Sequence, residues 1–260
     1  MSSRTLHYKL LVAVFFIVHF LSACGSNDSS HSAETNTPQS PDSTTSPDDE
    51  VKEPPKAAVK ILPLGDSITQ GGSGYASYRR DLWFLLKDKG YNVDFVGSQD
   101  DFDGDVADNL KDFDLDHEGH WAWETGKLDD KLEDWLDDGP VVDIVLLHAG
   151  TNDFYRGQSN DSTMQELVSI IGKLRKNNPD VVILLAKIIP MKNKDTSEIN
   201  ERIATLAKGE STKKSPVVIV DQYEGYRPLT DNHDNYHPNI IGESKIATKW
   251  FDKLLEFLDK

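Results

Sequence analysis

The stretch that sets the fold of this chain is Ile61-Leu62-Pro63-Leu64-Gly65-Asp66-Ser67-Ile68-Thr69. A short apolar run stops at Gly65, a serine follows two residues later, and a glycine-rich turn comes next. Such a run is typical of a buried parallel strand, and α/β sheets bind their ligands at the carboxyl ends of these strands. Ser67 can be a nucleophile, provided that the chain also supplies a base and an oxyanion site. The alternative is that Ser67 only caps a helix.

Outward from this stretch, apolar runs alternate with segments of helical periodicity. The strand-like runs are Ala58–Leu64, Val93–Val96, Ile144–Leu147, Val181–Leu185 and Val217–Val220. Apolar residues recur at helical spacing in three segments, which are Leu128–Leu136, Leu167–Leu174 and Ile246–Leu258. Near-continuous apolar strands that alternate with helices predict an α/β fold, in which helices cover both faces of a five-stranded parallel sheet.

The N-terminal segment has the pattern of a secretory signal peptide over residues 1–24. Arg4 and Lys9 precede a short apolar run, which ends in small residues. Cys24, the only cysteine, follows directly and resembles the lipidated cysteine of a bacterial lipobox. Ordinary signal cleavage beside an incidental cysteine is the alternative. The lipobox resemblance predicts a protein of the bacterial cell envelope that is lipid-anchored and faces the periplasm or the cell exterior.

Composition separates a tether from the folded part of the chain. Residues 25–56 are rich in Ser, Thr, Pro and Asp and nearly lack apolar residues, which predicts a disordered tether. We expect the folded domain to span residues 57–260 and to be a monomer. The net charge of −16 argues against nucleic acid as a partner. It also disfavours electrostatic docking on anionic lipid, so the predicted membrane contact is the N-terminal anchor alone.

Acidic residues crowd the segment 100–118. Asp101, Asp103 and Asp105 fit the first three positions of a calcium loop, but Val106 stands where that loop requires glycine. We interpret the segment as a solvated acidic loop, with bound calcium as the open alternative. No spaced set of His, Cys and acidic ligands completes a catalytic metal site, so we predict neither a metal nor another cofactor.

Two further polar stretches fall where a parallel sheet would present a site. Asn152 follows the strand that ends at Leu147, and its amide can donate to a developing oxyanion or form an Asx turn. Asp234 and His237 lie three residues apart before the last helix, so one turn lets the carboxylate orient the imidazole. His233 is a rival base, but its neighbour Asp234 cannot easily fold back onto it. We therefore prefer His237.

These stretches resemble three sequence blocks of the SGNH, or GDSL, hydrolases. The matching stretches are Gly65-Asp66-Ser67-Ile68-Thr69, Gly150-Thr151-Asn152-Asp153 and Asp234-Asn235-Tyr236-His237-Pro238-Asn239. The resemblance covers residues 57–260 and implies a flavodoxin-like three-layer α/β/α sandwich with a serine esterase site. By motif match, Ser67 would be the nucleophile, His237 the base and Asp234 its orienting acid. The Asn152 amide and the Ser67 backbone N–H would donate to the oxyanion.

A fourth stretch resembles the block that completes the oxyanion hole. The sequence His117-Glu118-Gly119-His120-Trp121-Ala122-Trp123 looks like the His-Glu-Gly-His-Ser-Gly-Trp of the third carbohydrate esterase family, which includes acetylxylan esterases. Ala122 stands where that family has the donor glycine, and a positive φ there would strain its Cβ. Gly119 is the alternative donor. Trp121 and Trp123 either line the substrate site or pack in the core.

The resemblance implies ester hydrolysis through an acyl-enzyme on Ser67. We expect a small-molecule or polysaccharide ester as the substrate, with deacetylation of carbohydrate outside the cytoplasm as the first choice. A short-chain esterase or lysophospholipase is the second. An alternative of another class is a catalytically silent envelope lipoprotein that binds a ligand.

Overall fold

The computed structural model describes residues 57–259, so the predicted signal peptide, Cys24 and the tether lie outside the described residues. The strands are β1 (Val59–Gly65), β2 (Val93–Phe95), β3 (Glu118–Gly119), β4 (Ile144–His148), β5 (Val182–Ala186) and β6 (Val217–Val220). The helices are α1 (Ser67–Gln70), α2 (Ser77–Asp88), α3 (Thr125–Asp138), α4 (Thr151–Arg156), α5 (Asn160–Asn177), α6 (Ser197–Glu210), α7 (Pro228–Asp231) and α8 (Ile240–Leu258).

The strands form one parallel sheet in the order β2-β1-β4-β5-β6. The predicted α/β fold with a parallel sheet is confirmed, and each of the five predicted strands lies within one residue of its expected position. The two-residue strand β3 was not predicted; it pairs in parallel with the end of β1. Gly65 lies in register with Gly119 of β3 and with His148 of β4. This register places the three predicted oxyanion segments side by side.

Apolar side chains of alternate strand positions bury both faces of the sheet. On one face, Leu62, Leu147 and Leu185 belong to a core completed by α3, α5 and α6. On the other, Ile61 and Leu146 pack with apolar residues of α2 and α8. The result is the predicted arrangement of three layers, with helices on both sides of the sheet.

The order of the strands reverses direction between β1 and β4. Chain growth proceeds outward from β1 to β2 on one side, and from β4 to β5 and β6 on the other. Open α/β sheets bind ligands in the crevice at such a switch point, at the carboxyl ends of the strands. Ser67 follows β1 and Asn152 follows β4. Within residues 57–259, no helix has both the length and the apolar character that a membrane crossing requires.

Candidate active site

Ser67 lies at the first position of α1, directly after the buried end of β1. Asp66 caps this short helix, because its Oδ1 accepts a hydrogen bond of 3.0 Å from the Ile68 N–H. Gly65 permits the close approach of β4, since a Cβ there would lie 2.4 Å from the His148 carbonyl oxygen. The capping that the sequence assigned to Ser67 as an alternative is thus performed by Asp66, and the Ser67 hydroxyl stays available for other contacts.

The loop between α7 and α8 presents His237 to Ser67. The Nε2 atom of His237 lies 2.9 Å from the Ser67 Oγ, and its Nδ1 lies 2.7 Å from the Asp234 Oδ2. The other Asp234 oxygen accepts hydrogen bonds from the backbone N–H groups of Tyr236, at 2.9 Å, and His237, at 2.7 Å. The predicted tight turn therefore fixes the carboxylate and the imidazole together.

The charge of Asp234 decides which ring nitrogen of His237 carries the proton. Burial would raise the pKa of Asp234, but the hydrogen bonds from the His237 backbone and ring and from the Tyr236 N–H outweigh it and hold the pKa below its usual value. Asp234 is therefore ionised at neutral pH and can only accept. The proton must lie on Nδ1, which leaves the Nε2 lone pair to accept the Ser67 hydroxyl. This arrangement can activate a serine nucleophile.

His233, the rival base, does not form the hydrogen bond to the Ser67 hydroxyl. Its side chain is exposed. Its ring stacks on that of His237, with centroids 5.9 Å apart, and lies tilted against the Tyr75 ring, with centroids 4.9 Å apart. The hydrogen bond to the Ser67 Oγ comes from His237. The structure thus places the preferred residue, and not its rival, against the serine.

Asn152, at the second position of α4, brings its amide toward the same crevice. Its Nδ2 donates to the Trp123 carbonyl at 3.0 Å and lies 3.4 Å from the Asp66 Oδ2. Asp66 is fully buried, and burial raises its pKa to about 7 against the hydrogen bond from Ile68. The sequence analysis did not predict this hydrogen bond between Asn152 and Asp66. Asp66 belongs to the Gly-Asp-Ser motif, but the motif gives no reason to pair it with residue 152.

Gly119, the alternative oxyanion donor, has its N–H engaged elsewhere. It donates a hydrogen bond of 2.9 Å to the Nδ1 of His117. Burial lowers the pKa of His117 to about 2, so the ring is neutral, and its Nε2 donates to the Asp101 carbonyl at 2.9 Å. A Cβ at Gly119 would lie 2.5 Å from the Gln70 backbone nitrogen, so this glycine serves close packing. The engaged N–H argues against Gly119 and makes Ala122 the remaining candidate donor in this segment.

Ala122 has the backbone conformation that its family counterpart, a glycine, adopts without strain. Its φ is +59°, in the left-handed region. Its carbonyl accepts a hydrogen bond of 3.0 Å from Arg156, whose guanidinium also lies 3.2 Å from the Glu124 carboxylate. Among the described residues, no hydrogen-bond partner occupies the Ala122 N–H. Ala122 therefore has the positive φ at which the sequence analysis expects its Cβ to be strained.

Exchange of Ala122 for glycine should stabilise the protein. The left-handed conformation costs about 1–2 kcal/mol for a residue with a Cβ. Glycine has greater conformational freedom in the unfolded chain, which lowers the free energy of unfolding by roughly 0.4–1 kcal/mol and so offsets part of this stabilisation. We expect the free energy of unfolding to rise by about 0.5–1 kcal/mol, measured by urea titration of tryptophan fluorescence.

The matched control for this prediction is Ala107→Gly. Ala107 is exposed and has a φ of −62°, so glycine relieves no strain there and should lower stability by about 0.4–1 kcal/mol. Equal losses in the two variants would show that Ala122 is not strained.

The two tryptophans of this segment have different surroundings. The Trp121 indole stacks on the His237 imidazole, with centroids 4.7 Å apart and an interplanar angle of 24°. Trp123 stacks on His120 at 4.4 Å and packs against the core on the α3 side of the sheet. Trp121 thus contacts the imidazole of the candidate site, whereas the contacts of Trp123 favour the packing alternative that the sequence analysis left open.

Two polar residues that the sequence analysis did not identify hold the segments of the site together. The Gln70 Oε1 accepts a hydrogen bond of 2.7 Å from the Trp121 N–H and so ties the oxyanion segment to α1. The buried Arg79 donates to the carbonyls of Thr69, at 2.8 Å, and Gln70, at 2.9 Å. Neither Gln70 nor Arg79 belongs to a recognisable motif, because each acts through tertiary hydrogen bonds to backbone groups.

The acidic segment 100–118 packs partly through its backbone. The carbonyls of Asp103 and Asp105 accept hydrogen bonds from Ser73, at 3.0 Å, and Gly74, at 3.1 Å. Among the described residues, one group has His, Cys or acidic ligand atoms close enough for a shared metal ion. It consists of His233, Asp234 and His237, and the acids of the segment form no such group.

Comparison with known proteins relates this site to a family. Residues 64–244 match the model of the GDSL-like lipase/acylhydrolase family. A multidomain esterase of Ruminococcus flavefaciens is 30% identical over 225 residues, which are 77% of this chain and 29% of that protein. The chain therefore spans less than a third of the length of this curated relative.

Solved structures share the fold at similar identity. A carbohydrate esterase of family 3 from Talaromyces cellulolyticus is 30% identical, with a TM-score of 0.68 over 77% of this chain and 98% of its own. A mutant acetyl esterase with an acetate ion has the same identity, TM-score and coverage of both chains. These likenesses extend over nearly the whole of both solved chains.

Proposed function

The chain belongs to the GDSL-like lipase/acylhydrolase family, and from this premise we propose that it is a serine esterase that removes acetyl groups from carbohydrate outside the cytoplasm. It is a hydrolase of the esterase type, as its relatives are. The observation that carries the proposal is the series of hydrogen bonds from the Ser67 hydroxyl through His237 to Asp234, at 2.9 and 2.7 Å.

The geometry supports a two-step reaction. His237 takes the Ser67 proton on Nε2 while the Oγ attacks the acyl carbonyl carbon, and the Nδ1 proton stays on the Asp234 side. The N–H groups of Ser67 and Ala122 are proposed donors to the oxyanion, and the Asn152 side chain is a third if its amide exchanges the hydrogen bond to the Trp123 carbonyl for one to the oxyanion. The alcohol leaves with the proton from Nε2. Water then gives a proton to His237 and attacks the acyl carbon. The bond to the Ser67 Oγ breaks, the serine oxygen takes the proton back from Nε2, and the acid is released.

Two features favour an acetylated carbohydrate as the substrate. Trp121 covers one face of the base and is half-buried, so an aromatic surface borders the point where the ester must lie. The similar solved proteins include a carbohydrate esterase and an acetyl esterase with acetate bound. A short-chain esterase or lysophospholipase is the competing activity.

Acetate release from acetylated xylan tests this proposal. The purified domain should release acetate from the xylan faster than it releases fatty acid from a lysophospholipid, and Ser67→Ala should abolish both. The reverse order of rates would replace the carbohydrate substrate with a lipid one. Equal hydrolysis of p-nitrophenyl acetate by the parent and Ser67→Ala would contradict the enzymatic role of Ser67.

The proposed location rests on the sequence of the N-terminal segment, in which Cys24 follows an apolar leader. We expect the full chain to fractionate with membranes in a bacterial host and Cys24→Ser to appear in the soluble fraction. Mass spectrometry of the mature N-terminus should show acyl chains on Cys24. An unmodified cysteine would contradict the lipid anchor.

A further inference from the structure

A cavity of about 340 Å³ opens beside the candidate active site, between the start of α2 and the start of α8. Its wall includes Tyr75, Ser77, Arg80, Asp81, Asn239 and Glu243. The Tyr75 ring lies in the cavity wall on the side of the reaction centre, and the centroid of this ring is 6.5 Å from that of the His237 imidazole. The volume lies within the range of about 300–1,000 Å³ that is typical of small-ligand sites.

The cavity wall contains a buried carboxyl group with unused hydrogen-bonding capacity. The Glu243 residue is 8% exposed, and its Oε1 has no hydrogen-bond partner among the described residues. Burial raises the pKa of Glu243 to about 7, and the nearby charge of Asp81 adds to this effect. A buried polar atom without a partner is costly, so this position is suited to a ligand that supplies the missing hydrogen bond.

The backbone at the cavity is also held in an unfavourable conformation. Ser77 is buried and has a φ of +63°, although it has a side chain. Its hydroxyl donates to the Thr69 carbonyl at 2.9 Å, which fixes this conformation beside α1. The Ser77 N–H favours the ionised form of Glu243. Such strain is found where the surrounding structure holds a binding group in place.

The charges of the wall favour a neutral hydroxylated ligand over an anion. Arg80 is already paired with Asp112 through two hydrogen bonds, of 2.7 and 2.9 Å. Asp81 and Glu243 therefore leave the cavity with acceptor groups in excess of free positive charge. A sugar ring supplies hydroxyl donors to such groups, whereas the phosphate of a lysophospholipid would meet like charge.

We propose that this cavity is the sugar subsite of the esterase, in which Glu243 and Asp81 accept hydrogen bonds from hydroxyl groups of the saccharide that carries the acetyl ester. This inference rests on the proposed function. It adds the location and the hydrogen-bonding groups of the carbohydrate part of the substrate. The Tyr75 ring forms the boundary between this subsite and the position of the ester.

Kinetics on two acetyl esters test the subsite. Glu243→Gln and Asp81→Asn keep the size of each side chain but replace one acceptor oxygen with an N–H donor. Each should raise the KM for an acetylated xylo-oligosaccharide by about fivefold to tenfold, since a hydrogen bond from a sugar hydroxyl is lost. The ratio of kcat/KM for this substrate to that for p-nitrophenyl acetate should fall by the same factor, because p-nitrophenol offers no sugar hydroxyls.

The matched control is Glu256→Gln, on the exposed end of the same helix, where the carboxylate pairs with Lys253. This variant should keep the parental KM and the parental ratio. If the parent acts on the oligosaccharide and all three variants keep its KM, the subsite is wrong while the proposed function stands. If the parent releases acetate from p-nitrophenyl acetate but not from the oligosaccharide, both are overturned.

Direct binding gives a second readout that does not depend on turnover. Deacetylated xylotetraose should bind to Ser67→Ala protein in calorimetric titration, and the added Glu243→Gln exchange should weaken this binding by a similar factor. Equal binding by the single and double variants would contradict the role of Glu243. Loss of folding is checked by the thermal unfolding of each variant.

Discussion

Exchange of His237 for glutamine is expected to lower kcat for p-nitrophenyl acetate by a factor on the order of 10⁵. Glutamine has no nitrogen that can take the Ser67 proton, so the attack of the hydroxyl loses its general base. The Nε2 atom lies 2.9 Å from the Ser67 Oγ, within hydrogen-bonding reach of the proton that it would take. The measurement is the steady-state rate after correction for spontaneous hydrolysis.

The neighbouring histidine provides the matched control for this loss. His233→Gln makes the same exchange in the same loop, on a ring that stacks on His237, whereas the hydrogen bond to the serine comes from His237. We expect its kcat to fall by several-fold at most, because only the packing around His237 changes. A greater loss in His233→Gln than in His237→Gln would reverse the assignment of the base.

The sequence predicts the sheet well because its strands are buried on both faces and therefore apolar throughout. The prediction of β1, β4 and β6 depends on such runs and agrees with the structure within one residue. The strand β3 has two residues, Glu118 and Gly119, and a pair of residues has no periodicity. It exists because its backbone pairs with β1, which is a tertiary interaction that local sequence does not encode.

The helices also differ in how far the sequence predicts them. The pattern predicts α3, α5 and α8, whose apolar residues recur at regular helical spacing, but it does not identify α2. The apolar residues of α2 come in the continuous run Leu82-Trp83-Phe84-Leu85-Leu86, which does not distinguish a helix from a strand. Its buried face also includes Arg79, a charged residue that donates to the carbonyls of Thr69 in α1 and of Leu115.

The site separates into a part that sequence can predict and a part that it cannot. Asp234 and His237 are close in sequence, so one turn determines their contact, and the serine is assigned by motif. The oxyanion segment depends on tertiary contacts. The N–H of Gly119 donates to the buried ring of His117, and Ala122 has a positive φ that the identity of the residue does not predict. The choice between these two donors therefore requires the structure.

Asp234→Asn is expected to lower kcat by about 10⁴-fold, although it removes no atom that contacts the serine. The Oδ1 of asparagine can still accept the N–H groups of Tyr236 and His237, so the turn should persist. Its amide N–H would instead face the Nδ1 of His237 and donate to it. The ring proton must then move to Nε2, and a protonated Nε2 cannot accept the proton of Ser67.

A change of tautomer at His237 would have effects that a purely structural role of Asp234 would not. Thermal unfolding of Asp234→Asn should stay near that of the parent, while kcat falls and KM changes little, because the lost interaction matters in the transition state. The control Asp134→Asn removes an exposed carboxylate that only pairs with Lys131 at 3.5 Å, and it should keep parental kinetics. The ¹⁵N chemical shifts of the His237 ring give the direct test. A neutral ring that still has its proton on Nδ1 in Asp234→Asn would show that another group orients the base.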